Sequence, residues 1–185
     1  MAYAAIVDPM TADDFLKWEA EQTERHEFID GGIFAMVGVT RQHATVAGNV
    51  FALLKQHLKA TPCRVYMADM KVKLQTVNTF FYPDVFVTCS EKDHQAELFM
   101  SEPRLIVEVL SESTEAYDRG DKFEKYRQFA SLQEYVLINP IKRKVDSFRL
   151  DKTGHWVLYE FIGHAPIEFS SVDLLLDSAV LYEDV

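Results

Sequence analysis

Apolar residues recur along this chain with two different periods, and the switches between them mark out its elements. From Met10 to Glu24 the apolar residues Phe15, Leu16 and Trp18 fall on one side of a predicted helix. Thr11 is placed to act as its N-cap, and Asp13 and Asp14 occupy the first turn, where the helix dipole favours acids. HEFIDGGIFAMV follows as two short strands around Asp30-Gly31-Gly32, a hairpin signal. In HATVAGNVFALLKQHLKA, Val46, Val50, Leu53, Leu54 and Leu58 return at helical spacing, and Pro62 closes the segment.

The period then shortens to that of strands. CRVYMADMKVKLQ reads as one strand and FYPDVFVTC as the next, with QTVNTF as the hairpin between them. RLIVEVLS is a third strand, EAYDRGDKFEKYRQFA a helix, and EYVLINP a buried strand ended by Asn139-Pro140. KRKVDSFRL and HWVLYEFI alternate as an antiparallel pair turned at Lys152-Thr153-Gly154, and PIEF and VDLLLDSAV close the chain. The order implies an α/β fold of mixed α+β type, with a central mixed sheet flanked by helices. At 185 residues the expectation is one domain spanning residues 1–185.

Composition changes the picture little; charge changes it more. Hydrophobic residues make up 48% and charged residues 26%, ordinary for a globular chain. No apolar run approaches the roughly 20 residues of a membrane helix. The opening MAYAAIVDPMTADDF has no basic region followed by an apolar one, so the chain is expected to be untargeted and cytoplasmic. Cys63 and Cys89 lack metal-ligand spacing and are expected as two thiols with no disulfide. The net charge of −10 argues against broad nucleic-acid binding, which needs a positive surface to displace counterions. Any nucleic-acid partner would depend on a local basic patch or on metal ions that neutralise acids.

Two acids stand out because they interrupt apolar strands. Asp84 lies in YPDVFV and Glu108 in RLIVEVLS. Side chains alternate across a strand, so Tyr82, Asp84 and Phe86 share one face, as do Ile106, Glu108 and Leu110. If the strands are neighbours, both carboxylates fall on one side of the sheet, where they repel unless a cation or proton joins them. Oxygen ligands with retained waters describe a Mg²⁺ or Mn²⁺ site, to which the Val109 carbonyl is a candidate addition. The blander alternative is a solvated Asp84 near a strand start and a Glu108 paired with a basic residue.

Phosphodiester chemistry at such a site needs a nearby cation to orient water or offset charge on phosphorus. Two residues after Glu108 stands the apolar Leu110. Lys122, on the following helix, and Lys71, in MADMKVKL, are the candidates, with Lys122 favoured. The competing roles are a surface pair of Lys122 with Asp118 and an exposed strand position for Lys71.

RHEFIDGGIFAM, ADMKV, FYPDV, IVEVLSEST and AYDRGDKFEKYR together resemble the Uma-two family of restriction endonucleases, within the PD-(D/E)XK nuclease superfamily. The likeness runs from about Met10 to Asp177. It implies a restriction-endonuclease-like core and Mg²⁺-dependent hydrolysis of DNA. In that pattern Asp84 corresponds to the acid of PD and Glu108 to that of (D/E)XK. Lys122 stands for the lysine missing at Leu110, and Glu27 for an additional N-terminal acid. Cutting both strands of a duplex with one site per chain makes a homodimer the default assembly. Lys55, Lys59 and Arg64 are candidates for a basic groove. His43 reads as a cap or partner before a substrate contact, Asp69 as an edge-strand acid and Tyr126 as core. Lys142, Arg143 and Lys144 read as a solvated strand end. The net charge and Leu110 keep open a catalytically degenerate binding or assembly module on the same fold. A hydrolase of small phosphoesters is the third reading.

Overall fold

The computed structural model describes residues 10–76 and 78–185. The absence of a targeting segment was expected from residues that fall mainly in 1–9, outside those described. Helix α1 (Ala12–Ala20) is shorter than the pattern suggests, but its start is as expected: Thr11 caps it, with a reciprocal bond from Asp14. Strands β1 (His26–Ile29) and β2 (Gly32–Ala35) meet at Asp30-Gly31, both with positive φ (51° and 88°), as a two-residue turn of this hand requires. Phe15 of α1 stacks on Phe28 of β1, with ring centres 4.9 Å apart. Helix α2 (Arg41–His57) starts at Thr40, whose hydroxyl accepts from the His43 amide.

The next segment departs from the sequence pattern. Each of the two long strands read there is broken in two. The first becomes β3 (Arg64–Met67) and β4 (Lys71–Leu74); the second becomes β5 (Thr79–Phe81) and β6 (Val85–Thr88). β3 pairs with β6, and β4 with β5, all antiparallel, but the two pairs belong to different sheets. The segment is one long hairpin folded across a crease. Ala68, with φ 48°, turns the first arm, and Tyr82-Pro83-Asp84 turns the second. The Ala68 amide donates to the Asp84 carbonyl across the fold. The second arm is buried on both sides of its turn, so its apolar run carries no mark of the change of sheet.

A short helix α3 (Glu91–His94) leads to β7 (Phe99–Met100) and β8 (Pro103–Val109). The expected helix over residues 115–130 is instead α4 (Glu115–Arg119) and α5 (Asp121–Tyr126). They are separated at Gly120, whose ψ of −101° leaves the helical region. β9 (Glu134–Asn139), β10 (Lys144–Leu150) and β11 (Trp156–Ile162) follow, the last two forming the expected antiparallel pair. β12 (Ile167–Phe169), β13 (Leu174–Leu176) and helix α6 (Ser178–Leu181) close the chain.

The larger sheet runs β11-β10-β9-β8-β6-β3, with β8 and β9 parallel and the other neighbours antiparallel; the smaller runs β2-β1-β5-β4-β7. This is the mixed architecture flanked by helices that the pattern implied. One face of the larger sheet, including Val85, Val107 and Val136, packs on Val46, Val50 and Leu54 of α2. The other face, including Phe86, Ile106 and Leu137, packs on Tyr126 and on Val72 and Phe81 of the smaller sheet. Glu108 belongs to the second face and Val109 to the first.

The cysteines overturn an expectation. Cys63 and Cys89 are joined by a disulfide, with Cα atoms 4.0 Å apart. The cause is register: Arg64 pairs with Thr88, so the residues just outside that pair face one another. Spacing in the sequence, 26 residues, says nothing of this.

Candidate active site

Strands β6 and β8 pair as far as Val85 opposite Val107. One step further, Asp84 faces Glu108, and side chains replace the backbone ladder. The Asp84 amide donates to Glu108 Oε2 at 3.3 Å, and the Val109 amide donates to Asp84 Oδ2 at 2.7 Å. Each strand thus holds the other strand's carboxylate. Asp84 Oδ1 lies 2.9 Å from His43 Nε2, brought there by the first turn of α2. The opposite ring nitrogen of His43 is buried with no hydrogen-bond partner among the described residues. The tautomer with its proton on Nε2 fits best, because a bare acceptor is cheaper to bury than an unmet donor.

Lys122 approaches from α5. Its ammonium lies 2.9 Å from Glu108 Oε1, 3.3 Å from Glu27 Oε1 and 3.7 Å from Asp118 Oδ1. It is 7% exposed and Glu108 4%. The surface pair with Asp118 weighed from sequence is therefore replaced by a buried cluster. The Tyr126 hydroxyl donates to the same Glu108 oxygen at 2.8 Å. Burial pushes the Glu108 carboxyl up to about 8; Lys122 pulls it back, and Asp84 and Asp118 push it further. Burial alone would lower the Lys122 ammonium, but Glu108 and Glu27 outweigh it and hold it well above its ordinary value. Lys122 is thus an ammonium, able to place water and offset negative charge but not to accept a proton.

These groups sit in a cavity of about 1110 Å³. Among the described residues no three His, Cys, Asp or Glu side chains are arranged to close on a metal ion. The donor set on offer is Asp84 and Glu108, two hard carboxylates in a wall reached by water. Mg²⁺ is commonly held by one or two carboxylates with waters and phosphate oxygens completing its shell, so the residues fit it. Val109 takes part here through its amide, on Asp84.

The other sequence candidates divide. Glu27 joins the cluster through Lys122. Lys71 does not: its ammonium lies 5.4 Å from the centre of the Tyr82 ring, whose hydroxyl donates to the buried Glu19. Asp69 pairs with Arg25 at the surface. Lys55, Lys59 and Arg64 line a separate pocket at the far end of α2 from His43, so they do not build a basic groove at the acids. The Arg143 guanidinium lies over Tyr182, and Lys144 pairs with Asp146 and Glu160. Leu110 is packed in the core beside Tyr126 and also lines the cavity, so no cation stands at this position. Tyr126 is core, as its pattern suggests, and Asp118 is a partner of Lys122; what the sequence did not show is that both join the cluster around Glu108.

Comparison with known proteins adds the family. The profile of the Uma2 family, described as "Putative restriction endonuclease", matches residues 12–180. Two Synechocystis proteins described as uncharacterized are similar over nearly their full lengths. The protein slr1290 is 34% identical over 173 residues, 94% of this chain and 91% of its own. The protein sll1609 is 32% identical, over 92% of this chain and 98% of its own. A crystal structure from Anabaena variabilis, described as a putative nuclease belonging to DUF820, shares the fold with a TM-score of 0.77. That match has 18% identity and covers 94% of this chain and 98% of that one. A restriction-endonuclease-like fold, two acids brought together from neighbouring strands and a sequence matched over residues 12–180 agree: this chain belongs to the Uma2 family.

Proposed function

We propose that this protein is a metal-dependent endonuclease hydrolysing DNA phosphodiester bonds, with Asp84 and Glu108 holding Mg²⁺ or Mn²⁺. The observation that carries the reading is the reciprocal bonding of the two acids, beside a buried ammonium, in the wall of an open cavity. A divalent cation bound there supplies Lewis acidity toward the phosphate and lowers the pKa of water. The chain's own residues do the rest. The Val109 amide and His43 fix the Asp84 carboxylate, while Tyr126 and the Asp84 amide fix Glu108. Lys122 steers the attacking water and offsets charge gathering on phosphorus. Glu27 keeps that ammonium charged and aimed. The water oxygen bonds to phosphorus as the phosphorus–oxygen bond to the leaving strand end breaks, the attacking water giving its proton to solvent and the leaving oxygen taking one from it. The Val109 carbonyl is a further ligand in this reading, and a symmetric homodimer, in the cytoplasm, is the assembly that would let one site per chain cut both strands.

The test is cleavage of plasmid and single-stranded DNA with Mg²⁺ or Mn²⁺, wild type beside Asp84→Asn, Glu108→Gln and Lys122→Ala. Loss of cleavage in all three variants is expected; metal-dependent cutting by Asp84→Asn would sink the assignment. One observation favours a second reading, a degenerate binding or assembly module. Glu108 already accepts from Lys122, Tyr126 and the Asp84 amide, which compete with a metal for it. In that case calorimetry with Mn²⁺ would show weak binding or none, and no DNA would be cut.

A further inference from the structure

Among the described residues, eight carboxylates and two lysines line the cavity. Both lysines are committed, Lys122 to Glu108 and Lys125 to Asp30. Three of the chain's arginines are committed elsewhere: Arg25 to Asp69, Arg119 to Asp146 and Arg149 to Glu134. Duplex DNA is gripped chiefly through phosphates on both strands, each contact asking for an available cation. The cavity does not supply them. A metal at Asp84 and Glu108 could serve one or two phosphates, so the remaining affinity has to come from another part of the nucleic acid.

The cavity's edge shows which part. The loop joining β2 to α2 presents Val37, 65% exposed, and Val39, 59% exposed; the turn after β9 presents Ile141, 68% exposed. All three line the cavity, with the half-buried Phe34 below them. The Tyr117 hydroxyl, also of a lining residue, is buried and has no hydrogen-bond partner among the described residues. Apolar side chains gathered at the mouth of a polar cavity mark a binding surface. The apolar parts of a nucleic acid are the faces of its bases, which a duplex hides by stacking and an unpaired strand displays.

We propose that the site takes an unpaired stretch of DNA, holding a base against Val37, Val39 and Ile141 and the adjoining phosphate over Asp84 and Glu108. This rests on the hydrolytic reading above and adds the substrate's strandedness. The acids of the cavity repel the closely spaced phosphates of a second strand.

The test is fluorescence anisotropy in Ca²⁺ with three probes: a labelled single strand, its duplex, and the same strand carrying abasic sites. Cleavage of each is followed separately in Mg²⁺. The intact single strand is expected to bind about tenfold tighter than the duplex and than the abasic strand, as base stacking contacts of this kind allow. The double variant Val37→Ser/Ile141→Ser should lose about tenfold on the intact strand and almost nothing on the abasic one. Both residues are exposed, so the fold is retained, and the abasic comparison stands on the wild type alone. Binding or cutting of the duplex at least as well as the single strand would overturn the proposal and leave hydrolysis standing. So would equal binding of the abasic strand. Base-dependent binding without cleavage of any substrate would support the inference and overturn hydrolysis. No binding and no cleavage would overturn both.

Discussion

The Lys122 ammonium and the Glu108 carboxylate meet at 2.9 Å with both residues almost wholly buried. In this setting the Glu108 charge is tolerable because of Lys122, and the Lys122 charge because of Glu108 and Glu27. Removing one partner of a buried pair costs far more than the pair itself contributes, because it strands the survivor in a low-dielectric environment.

Lys122→Met should therefore destabilise the protein by about 3–5 kcal/mol near pH 8, read from urea unfolding. The loss should shrink toward pH 5. Burial already lifts Glu108 to about 8, and without Lys122 it rises further. A carboxyl whose folded pKa lies above its unfolded one binds more protons when folded, so that contribution is present at low pH and fades as pH rises. A loss independent of pH would show that Glu108 does not carry the burden.

Tyr126→Phe removes the hydroxyl that donates to Glu108 Oε1 while keeping the ring packed against Phe81 and Tyr135. A loss of about 1 kcal/mol in unfolding free energy is expected. An unchanged stability would mean that water or Lys122 takes over the vacated lone pair.

The Cys63–Cys89 disulfide encloses a 26-residue separation. Chain-entropy arguments assign such a cross-link about 3 kcal/mol. Reductant, or Cys63→Ala/Cys89→Ala, should lower the unfolding midpoint accordingly. A thiol reagent applied to denatured, unreduced protein should find nothing to label; two equivalents would refute the bond.

Burial holds the phenols of Tyr82, Tyr117, Tyr126, Tyr135 and Tyr182 above their ordinary values. Above about pH 10 the unfolded chain releases these protons while the folded one keeps them, so stability falls as pH rises. Absorbance at 295 nm should show these tyrosines ionising together with the loss of circular dichroism. Their full titration before unfolding would contradict the packing.

The contrast between the two acids shows how far the sequence reaches. Alternation placed Glu108 correctly, on the same face as Ile106 and Leu110, because β8 is one continuous strand. It also set Asp84 on the side of Glu108, although Asp84 lies one step outside β6 and not within it. Pro83 was the available clue, since it cannot donate to a ladder. The helix pattern brought Lys122 to notice, yet Gly120 hid the break between α4 and α5. His43 was legible as a partner, but not as a partner of Asp84, which lies 41 residues away and is met through the packing of α2, not through any local period. The disulfide was illegible for the same reason: strand register decides it.

The folded hairpin sets a mechanical condition on the site. Asp84 lies where the second arm passes from one sheet to the other, whereas Glu108 is embedded in the larger sheet alone. Yet Asp84 is clamped from the larger sheet's side of the crease, by the Val109 amide and by His43 of α2. The junction of the two sheets thus lends an acid that only one of them holds in place.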